Sequence, residues 1–85
     1  MTKKQKKEIA KKFAAMRSNV LMDNDDGTVY VGFDEGTGEL YAGGATNAGI
    51  IREYVRPYDN DMTMDDNIAN LQEYMLEKQA ESEDI

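Results

Sequence analysis

Alternation between Thr28 and Gly44, TVYVGFDEGTGELYAGG, constrains this chain more than any other feature. Val29, Val31 and Phe33 fall on one side of an extended backbone, with Tyr30 and Gly32 on the other. After Asp34-Glu35-Gly36-Thr37-Gly38 the pattern resumes, Leu40 and Ala42 alternating with Glu39, Tyr41 and Gly43. The turn glycines supply the positive φ values that a tight reversal requires, so the stretch predicts a β-hairpin. A two- or four-residue loop pairs Phe33 with Leu40, Gly32 with Tyr41, Val31 with Ala42 and Tyr30 with Gly43. In that register each tyrosine lies across from a glycine and covers backbone that has no side chain of its own.

A hairpin alone is marginal in water, so the flanking segments must cover it. Before it, Ile9, Phe13, Met16 and Val20 lie on one stripe at helical spacing, flanked by Ala10, Ala14 and Leu21, and Thr2 with Gln5 has capping-box spacing. These predict a helix over residues 2–21, ended by Asp23-Asn24-Asp25-Asp26-Gly27, which turns the chain into the first strand. After the hairpin, Gly44–Gly49 reads as a loop. Residues 50–58, IIREYVRPY, suit either a third strand or a short helix begun at Asn47 and stopped before Pro57. Their β-branched and aromatic content, with the stability that a third strand adds, favours the strand, and Pro57 places it at an edge. Thr63 is a good N-cap, and Met64, Ile68, Leu71 and Met75, widened by Leu76, form the apolar stripe of a second helix running to about Ser82.

The expected fold is therefore a small α+β domain, αβββα, with a three-stranded antiparallel sheet and two helices packed on one face. Phe13, Met16, Val31, Phe33, Leu40, Ile68 and Leu71 are its expected centre. All 85 residues form one domain, with 1–5 and 82–85 loose.

Composition excludes much chemistry. The chain has no cysteine and no histidine, which removes disulfides, thiolate metal sites, the usual general base and the commonest transition-metal ligand. Asp23 to Thr28 resembles a calcium loop only in part, because Gly27 stands fifth rather than sixth and position twelve is Asp34 in a strand. Gly44 to Gly49 has the glycines of a phosphate-binding loop, but Ile50 and Ile51 stand where the clamp residues belong. No enzyme activity, metal or cofactor is expected. No apolar run follows the basic start, so neither a signal peptide nor a membrane span is expected, and a cytoplasmic location fits.

The net charge of −7 conceals an asymmetry: residues 1–19 carry +6 and residues 20–85 carry −13. Two surfaces follow as candidates. If Val29, Val31, Phe33, Leu40, Ala42, Ile51 and Val55 face the helices, the open sheet face presents Tyr30, Tyr41, Arg52, Tyr54 and Arg56, a composition typical of binding hot spots. An alternating path through the elements also gathers Asp23, Asp25, Asp26, Glu77 and Glu81 into an acidic pole at one end. At the other end it sets the lysine-rich start of the first helix among Asp34, Glu35, Glu39, Asp59, Asp61, Asp65 and Asp66. The expected function is a non-catalytic interaction module, an acidic adaptor or inhibitor of a protein partner, one that is basic and itself binds nucleic acid. Single-stranded nucleic-acid binding through the Tyr/Arg face and the lysine helix is the alternative. A homodimer formed through the open sheet face is a third reading.

Overall fold

The computed structural model describes residues 1–16, 18–25, 27–47 and 49–83. Its elements run α1 (Lys3–Ala14), β1 (Val20–Asn24), β2 (Gly27–Asp34), β3 (Glu39–Thr46), β4 (Gly49–Ile50), β5 (Tyr54–Pro57) and α2 (Met64–Glu83). The α+β architecture with two helices and an antiparallel sheet is present, but the sheet is four strands wide rather than three. β1, β2 and β3 are neighbours in that order, and the far edge of β3 is taken by β4 and then β5, two pieces of one interrupted strand.

The central hairpin has the register expected of it. Phe33 faces Leu40, Gly32 faces Tyr41, Val31 faces Ala42 and Tyr30 faces Gly43, and the ladder continues to Asp34–Glu39 and Val29–Gly44. Its loop is four residues long. The Asp34 carboxylate accepts from the backbone N–H groups of Gly36 at 2.9 Å and Thr37 at 3.3 Å, and Gly38 closes the turn at φ +76°. The Tyr41 ring lies against Gly32 so closely that a Cβ there would overlap it. Gly43 is different: a Cβ would meet the Ile51 carbonyl oxygen, so the backbone of residues 51–53, rather than the Tyr30 ring, fills that space.

The extra strand comes from the segment expected to finish the first helix. α1 starts as expected, with Thr2 and Gln5 forming a reciprocal capping box, but it stops at Ala14, and Val20, Leu21 and Met22 pair with β2 instead. A helix and a strand can share one apolar stripe because Ile9 and Phe13 cover the sheet from above while the next apolar residues extend it sideways. The Val31 N–H donates to the Asn19 carbonyl at 2.7 Å, a ladder bond that a longer helix would forgo. Asp23 to Gly27 thus joins two strands rather than a helix to a strand. Thr28 Oγ1 donates to Asp23 Oδ1 at 3.1 Å across that turn, and Gly27 takes φ +137°. Val20 pairs with Tyr30 but Met22 with Val29, so Leu21 is an extra residue in β1. This bulge lets Leu21 and Met22 both reach the core.

α1 lies over β2, and α2 over β3 and β5, both on the face of Val31, Leu40 and Ala42. The buried core is Ile9, Val31, Leu40, Ala42, Tyr58, Leu71 and Met75, with Phe13, Leu21, Met22, Val29, Phe33, Tyr54 and Ile68 packed against it. Phe33 stacks on Phe13 at 5.9 Å and meets Tyr58 edge-on at 5.7 Å. Met16, expected at the centre, falls beyond the end of α1 and outside this cluster.

α2 is capped by Thr63, whose Oγ1 accepts from the Asp66 N–H at 3.1 Å, and Asp65 and Asp66 in its first turn complement the helix dipole. Asn67 is the one buried polar residue among those described, 5% exposed. Its side chain accepts from the Asp59 N–H at 2.8 Å and donates to the carbonyls of Asp59 at 2.9 Å and Thr63 at 2.8 Å. Those bonds hold the loop from β5 against the start of α2. No helix among the described residues is long and apolar enough to cross a membrane.

Candidate functional site

The two helices cover one side of the sheet and leave the other open. Which residues occupy the open side depends on a second irregularity. Ala45 pairs with Ile50, but Ala42 pairs with Tyr54 rather than with Glu53, so residues 51–53 contain one residue more than the ladder accommodates. An extra residue inverts every side chain that follows it. Arg52, before the inversion is complete, keeps its expected side. Tyr54 lies opposite Ala42 and Arg56 opposite Leu40, on the helix side, while Val55 lies opposite Tyr41 on the open side. The expectation that Tyr54 and Arg56 share the open face, and that Ile51 and Val55 pack under the helices, is corrected here: Ile51 and Val55 are exposed.

On the helix side Tyr54 meets Tyr74 edge-on at 6.4 Å. The Arg56 guanidinium sits 5.0 Å from the Tyr74 ring centre and the Lys78 ammonium 5.7 Å from it. Lys78 also donates to Glu81 at 3.2 Å, which holds the lysine pKa above its usual value. These residues anchor α2 rather than extend the sheet surface.

The open face holds Tyr30, Tyr41 and Arg52, with Val20 and Val55. The Arg52 guanidinium lies 4.2 Å from the Tyr41 ring centre and donates to the Asp34 carboxylate at 2.6 Å. That hydrogen bond is the main reason the Asp34 carboxyl sits below its usual pKa, with the Thr37 and Gly36 N–H groups adding to it. In turn Asp34 raises the pKa of Arg52. Tyr41 therefore spans Gly32 and carries Arg52, and the arginine's charge is matched by a carboxylate from the same face. Val20 is 43% exposed and Val55 40%. Glu39, paired with Asp34, and Asp23, paired with Thr28, lie on the same side at its margins.

The acidic pole is only partly traceable. Asp23 and Asp25 are exposed beside the β1–β2 turn, and Glu77 and Glu81 are exposed on α2; Asp26 lies outside the described residues. Glu81 is engaged by Lys78. The opposite end is nearer to expectation. Lys3, Lys4, Lys6 and Lys7 line a groove of about 580 Å³ with Glu35 and Gly36. Met1 and Gln5 line another of about 530 Å³ with Arg56, Asp59, Asn67 and Asn70. Proximity there does not become pairing, since no lysine of α1 joins an ion pair among the described residues.

Sequence reasoning missed Val20 on the open face because its spacing continues the stripe of the first helix, and missed Val55 because of the extra residue at 51–53. The close approach of residues 51–53 to Gly43 had a signal in the paired Gly43-Gly44, since glycine inside a strand marks a place where other backbone comes near. No protein-family model matches the chain, and no curated protein or solved structure is significantly similar to it.

Proposed function

We propose that this protein is a non-catalytic interaction module that binds a basic protein partner through the open face of its sheet. The observation that carries this reading is the side of the sheet left free by the helices, where Val20 and Val55 are exposed and Tyr30 and Tyr41 half-buried, bordered by Asp23 and Glu39. Tyrosine and valine at the centre supply area that gains free energy when water leaves it, about 25 cal/mol per Å² of apolar surface. Carboxylates at the margin add little affinity, but they steer a cationic partner and discriminate against an anionic one. The matching of Arg52 by Asp34 favours a protein partner over nucleic acid. Within residues 20–57 the only cations are Arg52 and Arg56, and Arg56 belongs to the helix side.

An inhibitor of a nucleic-acid-binding protein fits the same chemistry, with the marginal carboxylates standing where phosphates would lie. The test is affinity capture from the native host with three baits: the wild-type chain, Val20→Glu with Val55→Glu, and the helix-side control Leu76→Glu. A basic protein retained by the wild type and the control but lost with the double variant supports the proposal. The same protein retained by all three baits, with the double variant folded, refutes it.

A further inference from the structure

The outer surface of the helix layer is divided by charge, and its two halves match each other. α1 turns Ile9 and Phe13 to the sheet, which leaves Lys3, Lys7 and Lys11, successive turns on its opposite side, exposed. α2 turns Ile68, Leu71 and Met75 inward, which leaves Glu73 and Glu77, also one turn apart, exposed on its far side around Leu76, itself 47% exposed. Four residues advance about 6 Å along either helix axis, so lysines and glutamates at that spacing keep step with each other. Among the described residues none of these five side chains joins an ion pair within the molecule.

We propose that the helix layer is a docking surface for a second copy of this chain, forming a two-fold dimer in which α1 of each copy lies on α2 of the other. α1 and α2 sit beside each other on one face of the sheet. Rotation by half a turn about an axis in the plane of that surface and along the helices therefore sets each basic helix against an acidic one. The contact is made twice, and the interface is closed and self-complementary. Lys7 and Lys11 meet Glu73 and Glu77, and the lysine methylenes cover Leu76 while their ammonium groups stay hydrated. Charge complementarity selects this occupant. Residues 1–19 carry +6, and residues 20–85 of the same chain carry −13. Exposed ion pairs are weak singly and screened within about 8 Å at physiological ionic strength, so the dimer is a salt-sensitive one.

Sedimentation velocity on the full chain, from about 25 mM to about 500 mM NaCl, should show a dimer dissociation constant that rises about tenfold or more. Lys7→Glu with Lys11→Glu should be monomeric at low salt, as should Glu73→Lys with Glu77→Lys, and an equimolar mixture of the two variants should restore a dimer. The substituted side chains are all exposed, and circular dichroism confirms that each variant is folded. A wild-type chain that stays monomeric at low salt and millimolar concentration overturns the proposal. So does a dimer that survives both charge variants, or one abolished only by Val20→Glu with Val55→Glu, which places the contact on the open sheet face. Binding of a DNA duplex by the wild type without any dimer overturns it as well, by assigning the lysines to phosphate.

Discussion

Replacing Asn67 by alanine removes the side chain that fastens the β5–α2 loop to the second helix, and the structure shows which groups lose by it. The Asp59 N–H loses its acceptor at 2.8 Å and the Asp59 carbonyl loses its donor at 2.9 Å. The Thr63 carbonyl fares better, because the Asn67 backbone N–H still reaches it at 3.0 Å. Two backbone groups therefore lose their partner outright, at about 0.5–1.5 kcal/mol each, and the small void left at a buried site adds to that. Asp59 is itself exposed, so water satisfies its backbone in part, and a net cost of about 2–3 kcal/mol follows. In a domain of 85 residues, that lowers the melting temperature by about 10–20 °C. Asn67→Asp separates bonding from packing: it keeps an acceptor for the Asp59 N–H but sets a carboxylate against two carbonyls. Because the ionised form is disfavoured in the fold, that variant should be least destabilised at low pH, where the acid is protonated and again donates, and progressively more so as pH rises past the unfolded carboxyl range. Thermal melts followed at 222 nm at pH 4 and pH 7 read both effects. A loss under about 1 kcal/mol for Asn67→Ala would falsify the argument, showing that the loop is held by something other than this amide.

Three further outcomes can be checked with the same melts or by NMR. Phe33→Ala should cost about 3 kcal/mol, the low end for a phenylalanine, since Phe33 is half-buried between Phe13 and Tyr58; a loss below about 1 kcal/mol would remove it from the core. Gly43→Ala should destabilise more than Gly32→Ala, because the new methyl group meets the Ile51 backbone in the first case and a side-chain ring that can swing away in the second. The reverse order would show that residues 51–53 do not press on Gly43. In a carboxyl titration Asp34 should protonate below the usual range, and Arg52→Gln should raise its midpoint only part of the way back, since the Gly36 and Thr37 N–H groups remain. Any stability that the depressed pKa contributes is present above the unfolded carboxyl value and lost as pH falls through the folded one. An unchanged Asp34 midpoint in that variant would show that the 2.6 Å contact does not persist in solution.

Legibility followed the rules of local periodicity. Strict alternation around a glycine-bearing turn has one good solution, and the β2–β3 register was readable to the residue. The capping box at Thr2 and Gln5 and the cap at Thr63 were readable because each is a contact between near neighbours in sequence. The end of α1 was not. Val20 continues a helical stripe by spacing, and only the availability of an unpaired β2 edge, a tertiary fact, turns it into a strand. Faces failed at the same kind of place, since alternation gives the side of Tyr54 and Arg56 only if no residue is inserted before them. Tyr30 and Tyr41 on the open face were legible because nothing shifts the β2–β3 register between them, and Arg52 keeps its side because the inversion is completed only after it.

The bulges at the two margins of the sheet bear on how this chain survives at high concentration. TVYVGF, residues 28–33, has the β-branched and aromatic character of a segment that stacks into fibrils. It lies in an interior strand, hydrogen-bonded on both sides. One margin is broken at Leu21, and the other is broken at 51–53 and ends at Pro57, which has no N–H to offer. Among the described residues a newly arriving strand finds only short regular runs on either margin, which opposes growth of the sheet from molecule to molecule. Fibril formation by this protein should then require prior loss of β1, and agents that melt β1 alone should turn a clear solution into one that binds thioflavin.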